Sequence, residues 1–186
     1  FIAYAFNSEI GRFRNFMDYG RNWLEDSGSD DSHGRTLWAL GTVLGRSTKT
    51  SQQHIAGWLF EQALPSILGT TSPRAWAFAI LGIHEYLRRF DGDRYAGQVR
   101  DELAGRLLSL YQQCRTDDWR WFEDRLTYCN AVLPQAILMC GQWLPNAQMT
   151  ATGLESLSWL IDLQRSAPVG GHFVPIGSNG FYLQGG

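Results

Sequence analysis

Stretches free of charge alternate with amphipathic ones along this chain, and that alternation limits the folds open to it more than any motif does. No Asp, Glu, Lys or Arg occurs between Arg35 and Arg46, between Arg74 and Glu85, or between Arg125 and Glu155. Apolar residues recur there with helical spacing, so the helices they form can be buried nearly all round. Between them, 93–114 is amphipathic: Val99, Leu103, Leu107 and Leu110 share a face, and Arg100, Asp101, Glu102 and Arg106 lie elsewhere. The stretches 9–25 and 148–165 also set charges against an apolar stripe. Outer and inner helices therefore take turns along the chain.

The period predicts helices over 9–25, 33–46, 52–68, 73–90, 93–114, 124–144 and 148–165, divided by turn signals such as Gly69-Thr70-Thr71-Ser72-Pro73 and Asp91-Gly92-Asp93. Nothing before residue 170 alternates as a strand. The tail from Gly171 to Leu183 reads as a short hairpin turning at Gly177 to Gly180. The fold class is all-α. Antiparallel hairpins with an inner and an outer ring repeat about every 40 to 50 residues, as in stacked α/α folds. A closed ring of six hairpins needs about twice this length, so the reading is an incomplete α/α toroid of about half a ring. Residues 1–186 are taken as a single toroid domain, expected to be a piece of a longer one, with an open α-solenoid as the alternative. Inner helices left open at both edges lead to the expectation of a homodimer or of a missing second half.

At 186 residues, 44% hydrophobic and 18% charged, the chain suits one well-buried soluble domain. A net charge of -2 and scattered arginines provide no basic field for a phosphate backbone, so nucleic acid is excluded as a partner. No run approaches the roughly 20 apolar residues of a membrane span. The amino end lacks the order of a signal peptide. Cys114, Cys129 and Cys140 sit in apolar stretches, where they read as small core residues of a cytoplasmic protein.

Two acidic-aromatic loops open charge-free stretches: Ser29-Asp30-Asp31-Ser32-His33-Gly34-Arg35 and Thr116-Asp117-Asp118-Trp119-Arg120-Trp121-Phe122-Glu123-Asp124. Indole faces stack on the C–H side of a pyranose, while carboxylates accept its hydroxyl hydrogen bonds or move its protons, so the pairing points to carbohydrate. In an up-and-down array every loop leading from an outer helix to an inner one lies at the same end. Those loops are 26–33, 69–73, 115–123 and the tail after 165. They carry Asp30, Asp31, His33, Arg74, Asp117, Asp118, Trp119, Trp121, Glu123 and His172, and the first turns of the inner helices add Arg35, Trp38, Tyr128 and Asn130. The opposite loops are short and lack aromatic residues.

Capping is the ordinary task of such acids: Asp31 or Ser32 for the helix at 33, Glu123 or Asp124 for the helix at 124. His33 reads as a hydrogen-bonded structural histidine, since a metal site needs further ligands that the spacing does not supply. His172 reads as a donor at the cavity edge, and His54 and His84 fall on helix surfaces. Pro134 should kink its helix near Asn130. Phosphate-loop, Cys-x-x-Cys and Gly-x-Ser-x-Gly patterns are missing, so no cofactor and no metal is expected.

Three ordered motifs, Ser29 to Gly41, Ser72 to Ala77 and Trp121 to Ala136, resemble a bacterial family: the α/α-toroid domain fused to, or encoded beside, retaining glycosyltransferases. The resemblance covers nearly the whole chain. It implies a six-hairpin toroid like those of many glycoside hydrolases and sugar epimerases, a glycan or sugar-containing small molecule as ligand, and a glycosyltransferase domain or subunit as partner. Cys129 stands where that family carries an aspartate.

The expected function is therefore a glycosyltransferase-associated, carbohydrate-active toroid that binds and processes a glycan. Asp30, Asp31, Glu123 and Asp124 are the candidate carboxylates, one a general acid with a raised pKa and another a base or nucleophile. Trp119 and Trp121 are the expected stacking platform. His33, Arg35, Trp38, Arg74, Tyr128, Asn130 and His172 are the expected binding residues. The alternatives are a non-catalytic glycan-binding or scaffold module and a helical-repeat interaction domain.

Overall fold

The computed structural model describes residues 1–165, 172–177 and 180–185, which fall into two compact units, Phe1–Leu103 and Ala104–Gly186. The first unit holds α1 (Ile2–Ala5), β1 (Phe6–Asn7), β2 (Arg12–Phe13), α2 (Asp30–Arg46), α3 (Thr50–Ala63), a 3₁₀ helix (Leu64–Gly69) and α4 (Pro73–Leu87). Helix α5 (Arg94–Cys114) runs unbroken through the boundary. The second unit continues with β3 (Arg125–Leu126), α6 (Val132–Trp143), α7 (Ala147–Gln164) and β4 (Tyr182–Leu183). No helix among the described residues is long and apolar enough to cross a membrane.

Glycines decide how the first unit packs. A Cβ on Gly34 would lie 2.6 Å from the Ala75 carbonyl oxygen, one on Gly41 would strike the Gly82 backbone, and one on Gly45 the Glu85 backbone. The matched positions rise together, so α2 and α4 run parallel, backbone against backbone. Such an approach is open only where side chains are missing. Both ends of the pair are pinned by polar contacts. At the amino end the Thr71 N–H donates to Asp30 Oδ2 at 3.0 Å, and at the carboxyl end Arg46 grips Glu85 through two hydrogen bonds of 2.7 and 2.5 Å.

Helix α4 is the charge-free stretch that behaves as expected: residues 77 to 83 are buried without a break. Helix α2 buries only one stripe, His33, Leu37, Leu40 and Leu44, and leaves Trp38 partly open. In the second unit Gly153 packs on Leu138 and Gly141 on Thr150, with hypothetical Cβ distances of 2.7 Å to the Leu138 Cβ and 2.6 Å to the Thr150 nitrogen. One number rises as the other falls, so α6 and α7 are an antiparallel hairpin. On α5, Val99, Leu103 and Leu107 are buried as their spacing predicts, and Leu110 is half-buried.

The helix expected over 9–25 does not form. Asn7 accepts the Glu9 N–H, Gly11 takes a φ of 68°, and β1 pairs with β2 in a hairpin. Further on, Asp18 accepts the Asn22 N–H at 2.7 Å and Arg21 takes a φ of 65°, closing a turn that brings Met17 opposite Trp23. Side-chain hydrogen bonds from Asn and Asp offered the backbone an alternative that the apolar period concealed. β1, β2 and β3 also correct the expectation of no strand before residue 170.

Other boundaries shift for similar reasons. Pro65 has no N–H to offer the Glu61 carbonyl, so α3 ends at Ala63 and the chain tightens into the 3₁₀ helix. The helix expected over 124–144 begins only at Val132: Asn130 bonds the Thr127 backbone, Cys129 takes a φ of 47°, and β3 pairs with β4. Pro134 then falls in the first turn of α6, where an N–H would lack an intrahelical partner, so it starts a helix instead of kinking one. The tail strand joins β3 instead of folding on itself, and Phe173 bridges to Arg165. Gly171, Ser178 and Asn179 of the expected hairpin lie outside the described residues. Of the three cysteines read as core, Cys140 is buried, Cys114 is half-buried and Cys129 is exposed.

Replacing Gly41 by Ala should therefore lower unfolding stability by on the order of 3 kcal/mol, because the methyl group meets backbone that cannot step aside. Gly57→Ala is the control: its Cβ would meet only Leu44 Cδ2 at 3.7 Å, an ordinary contact. That change should be neutral or stabilising by up to about 1 kcal/mol through helix propensity. Urea denaturation of both variants checks the pair, and equal stabilities would overturn the parallel packing.

Candidate functional site

Because α2 and α4 are parallel, their first turns lie together in the first unit. Ser29 caps α2 by accepting the Ser32 N–H at 3.1 Å, and Ser72 caps α4 by accepting the Ala75 N–H at 3.4 Å. The cap of α2 is thus Ser29, not Asp31 or Ser32. This frees both aspartates for other partners. Asp30 accepts from Arg12 at 2.8 Å as well as from Thr71, and Asp31 accepts from Arg35 Nε at 2.6 Å, one helical turn on. Burial alone would raise the Asp30 pKa, but the Thr71 N–H and the Arg12 guanidinium hold it below the usual carboxylate range.

His33 lies beneath this pair, fully buried, with Nε2 2.9 Å from Ser66 Oγ and its ring 5.7 Å from that of Phe13. Ser66 donates onward to the Gly11 carbonyl at 2.8 Å. His33 Nδ1 and Arg12 Nε are buried without a hydrogen-bond partner. Burial brings the imidazole pKa down to about 4, and the Arg12 charge adds to the fall. His33 is therefore a neutral, structural histidine. Among the described residues no group of three or more His, Cys, Asp or Glu is gathered to hold a metal.

Asp31, Arg35 and Trp38 follow at i, i+4 and i+7 on α2, a single face. Arg35 lies over the Phe78 ring of α4, 4.1 Å from its centroid, and Trp38 stacks on the same ring at 5.6 Å and 17°. Trp38 keeps 37% of its surface exposed. Arg74, in the first turn of α4, is buried. A carboxylate, a guanidinium and a partly open indole are thus carried on rigid helix beside two amino termini whose N–H groups favour oxygen ligands. Phe78 is the residue that sequence reading missed; its signal was a place in the second charge-free helix matching that of Trp38 in the first.

The second acidic-aromatic segment belongs to the second unit, and its rings are turned inward. Trp119 is 4% exposed and Trp121 is fully buried. Trp119 donates its indole N–H to the Glu123 carbonyl at 2.7 Å and packs between Trp159, edge-on at 5.0 Å, and Tyr182, stacked at 6.0 Å. Trp121 meets Phe122 and Trp159. Neither offers an open face for a sugar. The platform expected of them is corrected to a core, because aromatic area this large is removed from water wherever the tail and α7 can cover it.

Asp124 is exposed and doubly bonded to Arg125, which holds its carboxyl below the ordinary range. Glu123 is half-buried. Neither caps α6, whose N-cap is Ala131. Asn130 is buried and bonds Thr127 and the Ile176 carbonyl, which makes it a brace for the tail. Tyr128 and His172 are exposed. His84, expected on a surface, is half-buried, and burial lowers its pKa.

The chain matches no family model, no curated protein and no solved structure.

Stability should fall in acid through His33. Its folded pKa lies below the unfolded value of 6.5, so the unfolded chain gains the proton first. The stability is complete above about pH 6.5 and is lost as pH falls towards about 4, by on the order of 3 kcal/mol. His84 contributes with the same sign. Asp30 and Glu85, whose pKa values are lowered, lose their contributions only below the carboxylate range. His33→Gln should flatten most of the slope between pH 4.5 and 6.5 in urea titrations, and an unchanged slope would refute the assignment.

Proposed function

We propose that this chain is a carbohydrate-active domain of the α/α-toroid type, associated with glycosyltransferases, and that it binds a glycan or glycoconjugate at the amino-terminal end of the α2–α4 pair. The parallel inner helices with their outer partners support the toroid reading. The observation that carries the ligand class is Trp38: a partly open indole, backed by Phe78 and aligned with Arg35 and Asp31 on one face of α2. Its free surface can stack on the C–H face of a sugar ring, while the charged pair exchanges hydrogen bonds with hydroxyl groups.

Binding without turnover is the second reading, and a specific observation favours it. Asp30 is held ionised by Arg12 and the Thr71 N–H, and Asp124 by two hydrogen bonds from Arg125, environments suited to positioning and not to proton donation. Glu123 is the remaining test of catalysis in the second unit.

Trp38→Ala should weaken binding to a responding oligosaccharide from a glycan array by about tenfold, the size of one lost aromatic contact, with the helical circular dichroism spectrum retained at the assay temperature. Undiminished affinity would overturn the site. Glu123→Gln should abolish any hydrolysis or transfer found with that oligosaccharide; if turnover continues at the native rate, Glu123 has no catalytic role.

A further inference from the structure

A cleft of ≈ 590 Å³ opens in the first unit between α3 and the carboxyl-terminal parts of α2 and α4. It lies at the far end of the α2–α4 pair from Asp30, Asp31 and Arg35. Its volume falls in the range of small-molecule sites. Helix α3 presents His54, Trp58 and Glu61 to it at i, i+4 and i+7, and Trp58 is 48% exposed. The opposite wall is made by Tyr86 and Phe90, stacked at 4.8 Å, with the Tyr86 hydroxyl donating to Asp93 at 2.8 Å; Phe60, buried on α3 behind the lining, completes a column of rings by stacking on Tyr86 at 4.7 Å. Both faces of Tyr86 are covered by this column, so Trp58 and Phe90 supply the open aromatic surface.

Two features say that the cleft is built to be filled. Gly57 lies in the middle of α3, where glycine weakens a helix, yet packing does not demand it: a Cβ there would make only an ordinary contact of 3.7 Å with Leu44. Its missing side chain leaves the floor of the cleft open. This is the reverse of Gly41, where backbone contact leaves no room for a methyl group. The second feature is charge. Glu61 is the one carboxylate in the lining, no Lys or Arg is among the lining residues, and Glu61 has no hydrogen bond or ion pair among the described residues. The neighbouring Arg89 guanidinium already lies 5.9 Å from the Phe90 centroid, a native cation drawn to one of these rings.

We propose that this cleft binds a small organic cation, an ammonium-bearing molecule held against Trp58 and Phe90 and neutralised by Glu61. Ring quadrupoles attract a cation that has shed part of its water, and a carboxylate at the edge fixes its orientation. A free anion is repelled by Glu61, and a neutral sugar can offer it hydroxyl hydrogen bonds but not the charge that a cation brings to the carboxylate and the rings. The site goes beyond the glycan reading and is independent of it.

The test is an NMR titration of the whole chain with choline chloride, with methyl glucoside as the neutral control. Choline should give saturable shifts of the Trp58 indole resonance. Glu61→Gln should weaken binding about tenfold, and Gly57→Leu should abolish it by filling the floor. Trp58→Ala, at an exposed position, should also abolish it and keeps the test open should Gly57→Leu fail to fold. Trp38→Ala should leave choline binding unchanged, which separates this site from the glycan site. Absence of saturable shifts at millimolar choline, equal affinity in Glu61→Gln, or saturable binding of methyl glucoside at the same resonances would each overturn the proposal.

Discussion

Backbone contact between α2 and α4 is the constraint on which the rest of the first unit depends. Helices that meet through side chains can slide or re-pack when one residue changes, whereas two backbones in contact at Gly41 and Gly82 have no such freedom. The register they impose aligns Asp30 with Thr71, Trp38 with Phe78 and Arg46 with Glu85. Each of these pairs joins residues about 40 positions apart in the chain, a separation that no local preference could bridge.

The same register explains the polar interior. Parallel first turns put four carboxyl, guanidinium and imidazole groups of Arg12, Asp30, His33 and Arg74 in or near a region closed to water. Pairing offsets part of the cost of placing charges there, and it occupies Asp30, one of the four candidate carboxylates. Exposed chemistry is left to the outer stripe of α2. The glycine content of this pair thus shapes both what is hidden and what is offered to a ligand.

Much of the helical frame was legible in the sequence. The absence of charge between Arg74 and Glu85 marked α4 as a buried helix, and the stripe from Val99 to Leu107 marked the apolar face of α5. Illegible were the places where a side chain competes with the backbone. Asn7, Asp18 and Asn130 each satisfy backbone donors that a helix would have used, and the apolar residues around them keep a helical period all the same. Of the expected site, Asp31, Arg35 and Trp38 come together on one helix face because their spacing alone ensures it. Trp119 and Trp121 do not serve as expected, since nothing local tells an indole that binds a ligand from one that fills a core.

Local spacing and composition determined that this chain would be helical, that the stretch between Arg74 and Glu85 could be buried nearly all round, and that an acidic pair would stand at the start of α2. Those properties follow from turn-by-turn geometry and the transfer of apolar surface from water, which act over a few residues at a time. Only the tertiary structure decided that α2 and α4 run parallel and touching, that Asp30 and Asp124 are tied to arginines, and that Trp38, not Trp119 or Trp121, keeps an open face. Those outcomes depend on which distant segments cover one another, and burial is a property of the neighbours as much as of the residue.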